Sequence, residues 1–131
     1  FEIEKKILKT FVLTMLNSLF YKKKIFLPTN KIYKDFITIK RFCLILKKII
    51  FLKKLFGIYN LSSGFKYDLN LLARKLLEGY GKGNIIHKKN IKTDRFVISS
   101  QKLQKKLKIK IKYDEVLKNF YILGKRLKNY D

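Results

Sequence analysis

The strongest limit on how this chain can fold is its charge. Its 131 residues carry a formal net charge of +23, from 32 Lys and Arg against nine Asp and Glu. Such an excess opposes a compact state through self-repulsion, and it is far above the charge of about 2–8 that keeps a small domain soluble. Yet 47% of the residues are hydrophobic and 15% are aromatic, whereas disordered segments are poor in such residues. We therefore expect a folded chain whose charge is neutralised by a polyanion, for which a folded RNA is the best candidate.

The basic residues are almost all lysine, since arginine occurs only at Arg41, Arg74, Arg95 and Arg126. Arginine is the better fork for phosphate, so binding chemistry does not explain the preference. A coding bias toward A/T-rich codons does explain it, and the abundance of Ile and Phe points the same way. Reduced organellar genomes carry such a bias, and so do some parasites and endosymbionts. We therefore expect the protein in the mitochondrial matrix, or in another organelle with an AT-rich genome.

Residues 1–56 are predicted to form a basic amphipathic helical segment. Apolar residues recur every four positions over residues 2–20, which indicates a helix with one apolar stripe. After a basic turn, residues 31–56 fit one or two further helices, although the β-branched residues at 37–39 leave a strand possible there. The first half of the chain is therefore expected to be mostly helical.

Two features of this half bear on its surroundings. Cys43 lies in an apolar run, so we expect a buried, unreactive thiol rather than a ligand or nucleophile. The uncharged stretch Phe11–Phe20 is about half as long as the ~20 residues that a membrane span needs. No membrane span is therefore predicted.

The second half is predicted to open with a loop and a helix. Residues 57–64 begin and end with glycine and read as a loop. Asp68 or Asn70 can cap a helix that runs to about Glu78, with leucines on its apolar face. Three glycines within residues 79–83 then end the helix. These glycines lack the Lys-Ser/Thr of a phosphate-binding loop and follow a helix rather than a strand, which argues against a nucleotide site.

Strict alternation of apolar residues and lysines over residues 107–113 predicts a half-buried strand, and residues 120–123 a second one. On the first strand Lys108, Lys110 and Lys112 would form a ladder about 6–7 Å apart, close to the phosphate spacing of a nucleic-acid strand. The alternative interpretation is an edge strand that lysines protect from aggregation. The expected fold is α+β: a mostly helical N-terminal half, then short helices with a small β-hairpin.

The sequence offers no catalytic or metal-binding constellation. His87 is the only histidine and is followed by two lysines. The nine acids form neither a carboxylate pair for acid–base chemistry nor a metal-ligand cluster. We therefore expect a protein that is not an enzyme and that uses no cofactor, metal or small-molecule substrate.

A series of short motifs covers a little more than half of the chain. The segments are Lys53–Gly57, Asn70–Leu72, Leu76–Glu78, Asn84–Lys88, Ile109–Ile111, Val116 and Phe120–Leu123. The series resembles the core of the small-subunit ribosomal protein S-four family, whose lysine-rich segment, Asn-Leu-Leu helix, Asn-Ile-Ile turn and Ile-x-Val strand occur in this order. There are three departures: Asp94 replaces the serine of the Ser-Arg pair, residues 98–100 (or a triplet shifted to end at Gln101) replace the Ala-Arg-Gln triplet, and the expected hairpin tip, residues 111–114, has no glycine.

The resemblance implies that residues 57–131 are an RNA-binding domain with a small β-hairpin, which binds small-subunit ribosomal RNA and contacts neighbouring ribosomal proteins. Lysines would neutralise phosphates and read shape rather than base sequence. Tyr80 and Tyr113 could stack on unpaired bases, although core packing is the commoner role of a tyrosine. The candidate RNA-binding residues are Lys88, Lys89, Arg95, Lys102, Lys105, Lys106, Lys108, Lys110 and Lys112.

Two alternative functions remain open. A basic accessory subunit of an organellar membrane complex would pack its apolar helices on membrane subunits and turn its lysines toward anionic lipid. The lysines are spread over the whole chain rather than placed beside one apolar segment, which speaks against it. An RNA-modifying or tRNA-handling enzyme is the second alternative, and the missing catalytic constellation speaks against that.

Overall fold

A computed structural model describes residues 10–52, 54–89 and 94–131 of the chain. Within these residues the chain forms five helices and five short strands. The helices are α1 (Phe11–Lys22), α2 (Ile39–Phe51), α3 (Leu69–Tyr80), α4 (Gln101–Leu107) and α5 (Asp114–Lys128). The strands are β1 (Lys24–Pro28), β2 (Tyr33–Lys34), β3 (Tyr67–Asp68), β4 (Asn84–Lys88) and β5 (Arg95–Phe96). The expected α+β fold is confirmed.

The helix predicted over residues 2–20 is confirmed for its described part, while residues 1–9 lie outside the described residues. Helix α1 begins after Thr10, whose hydroxyl accepts a hydrogen bond from the Leu13 amide at 3.3 Å. Met15 and Leu19, four residues apart, are its buried residues. The helix ends at Lys23 in the left-handed conformation, and the chain turns directly into β1.

Two small sheets connect distant parts of the chain. Strand β1 pairs in parallel with β4, with Ile25 opposite Ile85. Strand β2 is central in the other sheet, antiparallel to β3 and parallel to β5. Parallel pairs need long crossover connections. Helix α1 directly precedes β1, and helix α3 directly precedes β4. The β1–β4 pair therefore brings the ends of these two helices together.

A pair of closely packed helices, α3 and α5, forms the centre of the fold. Helix α3 begins at the predicted cap, where the Asp68 carboxylate accepts from the Asn70 amide at 2.9 Å. It ends at Tyr80, and Gly81 follows with a φ of 83°. The predicted helix and its glycine stop are thus confirmed.

The main core lies between this helix pair, α1 and β1. It contains Leu19 and Ile25 from the first 56 residues, and Tyr67, Leu72 and Phe120 from the rest. The described residues of 1–56 and of 57–131 therefore share one core, and the division of the chain into two functional domains stays a prediction. A second, smaller core consists of Ile45, Leu103, Leu107 and Ile111.

Helix α2 differs from the sequence prediction in the exposure of one residue, Cys43. The described residues 31–52 and 54–56 contain one helix, with Thr38 as its cap, and a short strand at residues 33–34 rather than at 37–39. Cys43 is exposed, so the expectation of a buried thiol is wrong. The reason is helix geometry, because α2 turns Ile45 toward the second core and Cys43 to a different face.

The strands predicted at residues 107–113 and 120–123 are wrong. Residues 101–107 form α4, which stops at Lys108 with a left-handed φ of 50°, and residues 109–112 form neither helix nor strand. Residues 120–123 lie within α5, because buried residues four positions apart (Val116, Phe120 and Gly124) place one helical stripe on α3. No β-hairpin therefore forms in residues 101–131.

Candidate nucleic-acid interface

Four of the seven acidic residues in the described ranges form ion pairs with Lys or Arg. Within the described part of the chain, none of the nine candidate RNA-binding residues pairs with a carboxylate, and all nine are exposed. Their charges are therefore available to an external anion. The five ion pairs are Lys23–Asp131, Lys34–Asp94, Arg41–Glu115, Lys75–Glu78 and Lys82–Asp131.

One group of candidate cations lies on α4. Leu103 is buried in the second core, whereas Lys102, Lys105 and Lys106 are exposed. Lys102 also contacts the loop at residues 57–64. Its ammonium group donates a hydrogen bond to the Ile58 carbonyl at 3.3 Å and lies 4.8 Å from the ring centroid of Tyr59. Lys105 and Lys106 contribute the cationic charge of the last turn of α4.

Lys108, Lys110 and Lys112 do face solvent, although they do not form a strand. Exposure alternates through this segment, with Ile111 buried between two exposed lysines. The segment is held by Gln104, whose carbonyl Oε1 accepts from the Ile111 amide at 3.2 Å and whose amide Nε2 donates to Ser100 Oγ at 2.8 Å. A glutamine side chain thus takes the place that a neighbouring strand was expected to fill.

We expect Gln104→Met to destabilise the chain by about 1–3 kcal/mol, because the part-buried Ile111 amide then lacks an acceptor while side-chain volume is kept. Urea unfolding gives the free energy, and amide exchange at Ile111 shows whether the loss is local. Gln101→Met, an exposed position on the same helix, is the matched control. Equal stability of the two variants would contradict the role of Gln104.

The fold brings two candidate residues together in what we call the basic cleft. Arg95 from β5 and Lys110 line a cavity of about 630 Å³, together with residues 63–65 and 99–101. A cleft of this size is within the range of small-ligand pockets, about 300–1,000 Å³. It presents two cations from separate elements to one space, which is an arrangement that can hold a phosphate.

The loop that forms one wall of the basic cleft is fixed by a part-buried network of hydrogen bonds. The Asp35 carboxylate accepts from the Ser63 amide at 2.9 Å, from the Ser63 hydroxyl at 2.6 Å and from the Gly64 amide at 3.0 Å. Ser62 donates its hydroxyl proton to the Ile98 carbonyl at 2.6 Å, which ties the loop to the opposite wall. These residues could not be identified from the sequence, since nothing local relates Asp35 to a loop 28 positions away.

The remaining candidates, Lys88 and Lys89, do not line the basic cleft. Lys88 is the last residue of β4, and its ammonium group lies 4.6 Å from the ring centroid of Phe26 on the paired strand β1. Both lysines are exposed. They form a separate basic position on the β1–β4 sheet.

The two tyrosines that could have stacked on bases are used in the protein itself. Tyr80 is fully buried, and its hydroxyl accepts from the Lys23 ammonium at 2.6 Å. The Tyr113 ring stacks on that of Tyr67, with centroids 4.8 Å apart and planes 9° from parallel. Core packing is therefore their role.

Asp131 forms ion pairs with two lysines, Lys23 and Lys82, so part of their charge is neutralised within the protein. The ammonium groups of Lys23 and Lys82 hold the pKa of the Asp131 carboxyl far below its usual range, and hydrogen bonds to Asp131 and Tyr80 raise the pKa of Lys23. A carboxyl with a lowered pKa stabilises the fold above its unfolded pKa, and that contribution is lost as pH falls toward the folded pKa. The cluster therefore persists at neutral pH.

Residues 10–52, 54–89 and 94–131 contain no group of three His, Cys, Asp or Glu side chains placed to bind a metal. His87 Nε2 lies 2.7 Å from the side-chain oxygen Oδ1 of Asn70. None of the helices in these ranges has the length and apolar character to cross a membrane. No protein-family model matches the chain, and neither a curated protein nor a solved structure is significantly similar to it.

Proposed function

We propose that this chain is a structural protein of an organellar ribosome that binds ribosomal RNA through its lysine-rich surfaces, in the small subunit. The observation that carries the proposal is the charge left over after internal pairing. The nine candidate cations are exposed and lack a carboxylate partner in the described residues, in a chain of net charge +23. RNA phosphates supply the missing counter-charge at the required density.

The form of the surface suits recognition of the RNA backbone. Lysines on α4 and on residues 108–112 act as separate point charges, which neutralise phosphates without reading bases. Arg95 adds a planar fork that can bind one phosphate with two hydrogen bonds, with Lys110 on the same cleft. Recognition would therefore depend on the spacing of phosphates in a folded RNA.

The ribosomal assignment rests on composition and on the family resemblance of short motifs. The lysine-rich composition supports an organelle with an AT-rich genome, and the mitochondrial matrix is the location we propose. The motif order supports the small subunit and contacts with neighbouring ribosomal proteins. In this role the protein would support translation without catalysing a reaction.

A salt titration tests the RNA proposal. We expect the affinity of the chain for small-subunit ribosomal RNA to fall steeply between 50 and 200 mM salt, by about 10³-fold or more if six or more phosphates are contacted. The measurement is fluorescence anisotropy of a labelled RNA fragment at several salt concentrations. An affinity that does not change with salt would contradict the proposal.

A second candidate function is a basic accessory subunit of an organellar membrane complex. The observation in its favour is the set of large apolar residues that are exposed on and just after α2, among them Ile39, Ile50, Phe51 and Phe56. Fractionation of organelle extracts separates the two functions. The chain should sediment with ribosomal particles and be released by high salt. Recovery in a membrane fraction that only detergent releases would favour the accessory subunit.

A further inference from the structure

Helix α2 carries an apolar stripe that no other part of the described chain covers. Ile39, Cys43, Leu46 and Ile50 follow each other at spacings of four, three and four residues, so they lie on one face of the helix. The side chains of Ile39 and Ile50 are 75% and 77% exposed, and Cys43 and Leu46 are also exposed. We call these four residues the α2 stripe.

The α2 stripe is not the face by which α2 packs on its own protein. Ile45 is buried in the second core, and Ile49 packs against that core. These two residues lie on a different side of the helix from the stripe. Within the described ranges, the chain therefore uses one face of α2 for its core and leaves a second apolar face exposed.

Positive charge borders the α2 stripe. Lys40 and Lys47, seven residues apart, lie along one edge and are exposed. Residues 39–51 contain no acidic residue. The nearby Arg41 is already paired with Glu115. The edge of the stripe therefore offers two lysines that no acid on this helix can neutralise.

Beyond these lysines lies a second apolar surface. Leu44 and Phe51 are exposed and line a groove of about 560 Å³ between α2 and residues 107–110. Lys47, Lys48 and Lys110 line the same groove. Lysines thus stand between two apolar strips rather than at the border of a single one.

We propose that the α2 stripe docks an amphipathic helix of another protein, one whose apolar seam is flanked by Asp or Glu. Alternating spacings of three and four residues match the seam by which one helix packs on another. Acidic residues beside the partner's seam would pair with Lys40 and Lys47, at the positions where charge selects the partner in helical pairs. The proposal does not depend on RNA binding.

Other occupants fit this surface less well. A helix lying on a membrane has one continuous apolar face with its cations on the opposite side, whereas Lys40 and Lys47 divide the apolar surface here. A second copy of this chain would bring lysines against lysines, in addition to the repulsion between two charges of +23. RNA offers phosphates to the lysines but little apolar surface to Ile39, Leu46 and Ile50.

The single cysteine of the chain provides a direct measurement, because Cys43 lies in the middle of the stripe. The probe is a synthetic helical peptide with leucine at seam positions and glutamate at the flanking positions. The control peptide has lysine in place of every glutamate. At a concentration about ten times its Kd, the acidic peptide should slow alkylation of Cys43 by a maleimide about tenfold, since only the free chain reacts. The lysine peptide should give no protection.

A charge reversal checks the specificity. The double variant Lys40→Glu/Lys47→Glu should lose protection by the acidic peptide and gain it from the lysine peptide. Lys31→Glu/Lys66→Glu, at two exposed positions outside α2, changes the net charge equally and should keep the preference of the unaltered chain. Circular dichroism of each variant verifies that it is folded, and the comparison of the two peptides on the unaltered chain decides the proposal without any variant.

Four results would overturn the proposal. Equal protection by both peptides would show that the stripe has no charge preference, and no protection by either would show that no helix docks. Protection by vesicles of anionic lipid, without protection by the acidic peptide, would identify a membrane surface. Protection that rises with the concentration of the chain alone would identify self-association.

Discussion

Alanine in place of Gly124 is expected to open the contact between α3 and α5 and to destabilise the fold strongly. A Cβ atom built at Gly124 overlaps the Leu76 carbonyl oxygen and lies 2.7 Å from the Tyr80 backbone nitrogen. These are backbone atoms of the facing helix, which cannot rotate away as a side chain can. The two helices would have to separate, and the buried residues between them would lose their contacts.

The sign of the change in unfolding free energy distinguishes the effect of tertiary packing from that of helix propensity. In an isolated helix alanine is favoured over glycine by about 1 kcal/mol, so local preference predicts a more stable chain. We expect instead a loss of about 3 kcal/mol or more of unfolding free energy, since overpacking that displaces backbone is at the costly end of its range. Urea unfolding followed by circular dichroism gives the value. Asn119→Ala, at an exposed position of α5, should change it by less than about 0.5 kcal/mol.

The contact is reciprocal, which provides a second check. A Cβ atom at Gly79 of α3 overlaps the Tyr121 carbonyl oxygen and lies 2.9 Å from the Tyr121 carbonyl carbon. Gly79→Ala should therefore destabilise the chain as Gly124→Ala does. Because either substitution already separates the helices, the double variant should lose less than the sum of the two losses. A stabilising effect of either single substitution would contradict this helix packing.

Helix α3 could be predicted from the sequence because its signals are local. Its beginning is set by the Asp68 side chain, which caps the adjacent turn, and its end by glycines that can adopt a left-handed φ. Leu72 and Leu76, four residues apart, are both fully buried. None of these features requires knowledge of a distant residue.

The segment 107–113 shows where local signals are insufficient. Alternation correctly predicted that Ile111 is buried and that Lys108, Lys110 and Lys112 are exposed. It could not predict a strand, because a strand exists only when another strand pairs with it, and here the Gln104 side chain takes the Ile111 amide. The closely spaced apolar residues 120–123 were misleading for a related reason. Phe120 is buried by packing on α3, which is far away in sequence, whereas Tyr121 and Ile122 are exposed.

The same distinction applies to the candidate interface. Exposure of the nine cations follows from charge, and it was predicted. The basic cleft was not, because Arg95 and Lys110 meet only through the packing of β5 and the second core. Glycine at the α3–α5 crossing gave no signal either, since a close approach between helices is visible only when both helices are placed.

Replacement of Lys108, Lys110 and Lys112 with glutamine is expected to weaken binding of ribosomal RNA by about 10- to 100-fold near physiological salt. The three side chains are exposed and lack ion-pair partners in the described residues, so their removal should leave the fold intact. Each phosphate contact that is lost should also lower the slope of log affinity against log salt by about one. The variant should therefore show both a weaker affinity and a slope smaller by about two to three.

A control variant that loses the same charge elsewhere distinguishes a defined RNA interface from general electrostatic attraction to RNA. Lys31, Lys66 and Lys118 are exposed and are not among the candidates, so their replacement with glutamine removes the same charge elsewhere. If residues 108–112 contact RNA, this control should keep its salt slope and lose affinity only through long-range electrostatics, which salt screens. Equal losses in the two variants would contradict the assigned interface but leave RNA binding in place. Unchanged affinity in both would contradict RNA binding through these lysines, and a flat salt response of the unaltered chain would remove the ribosomal proposal itself.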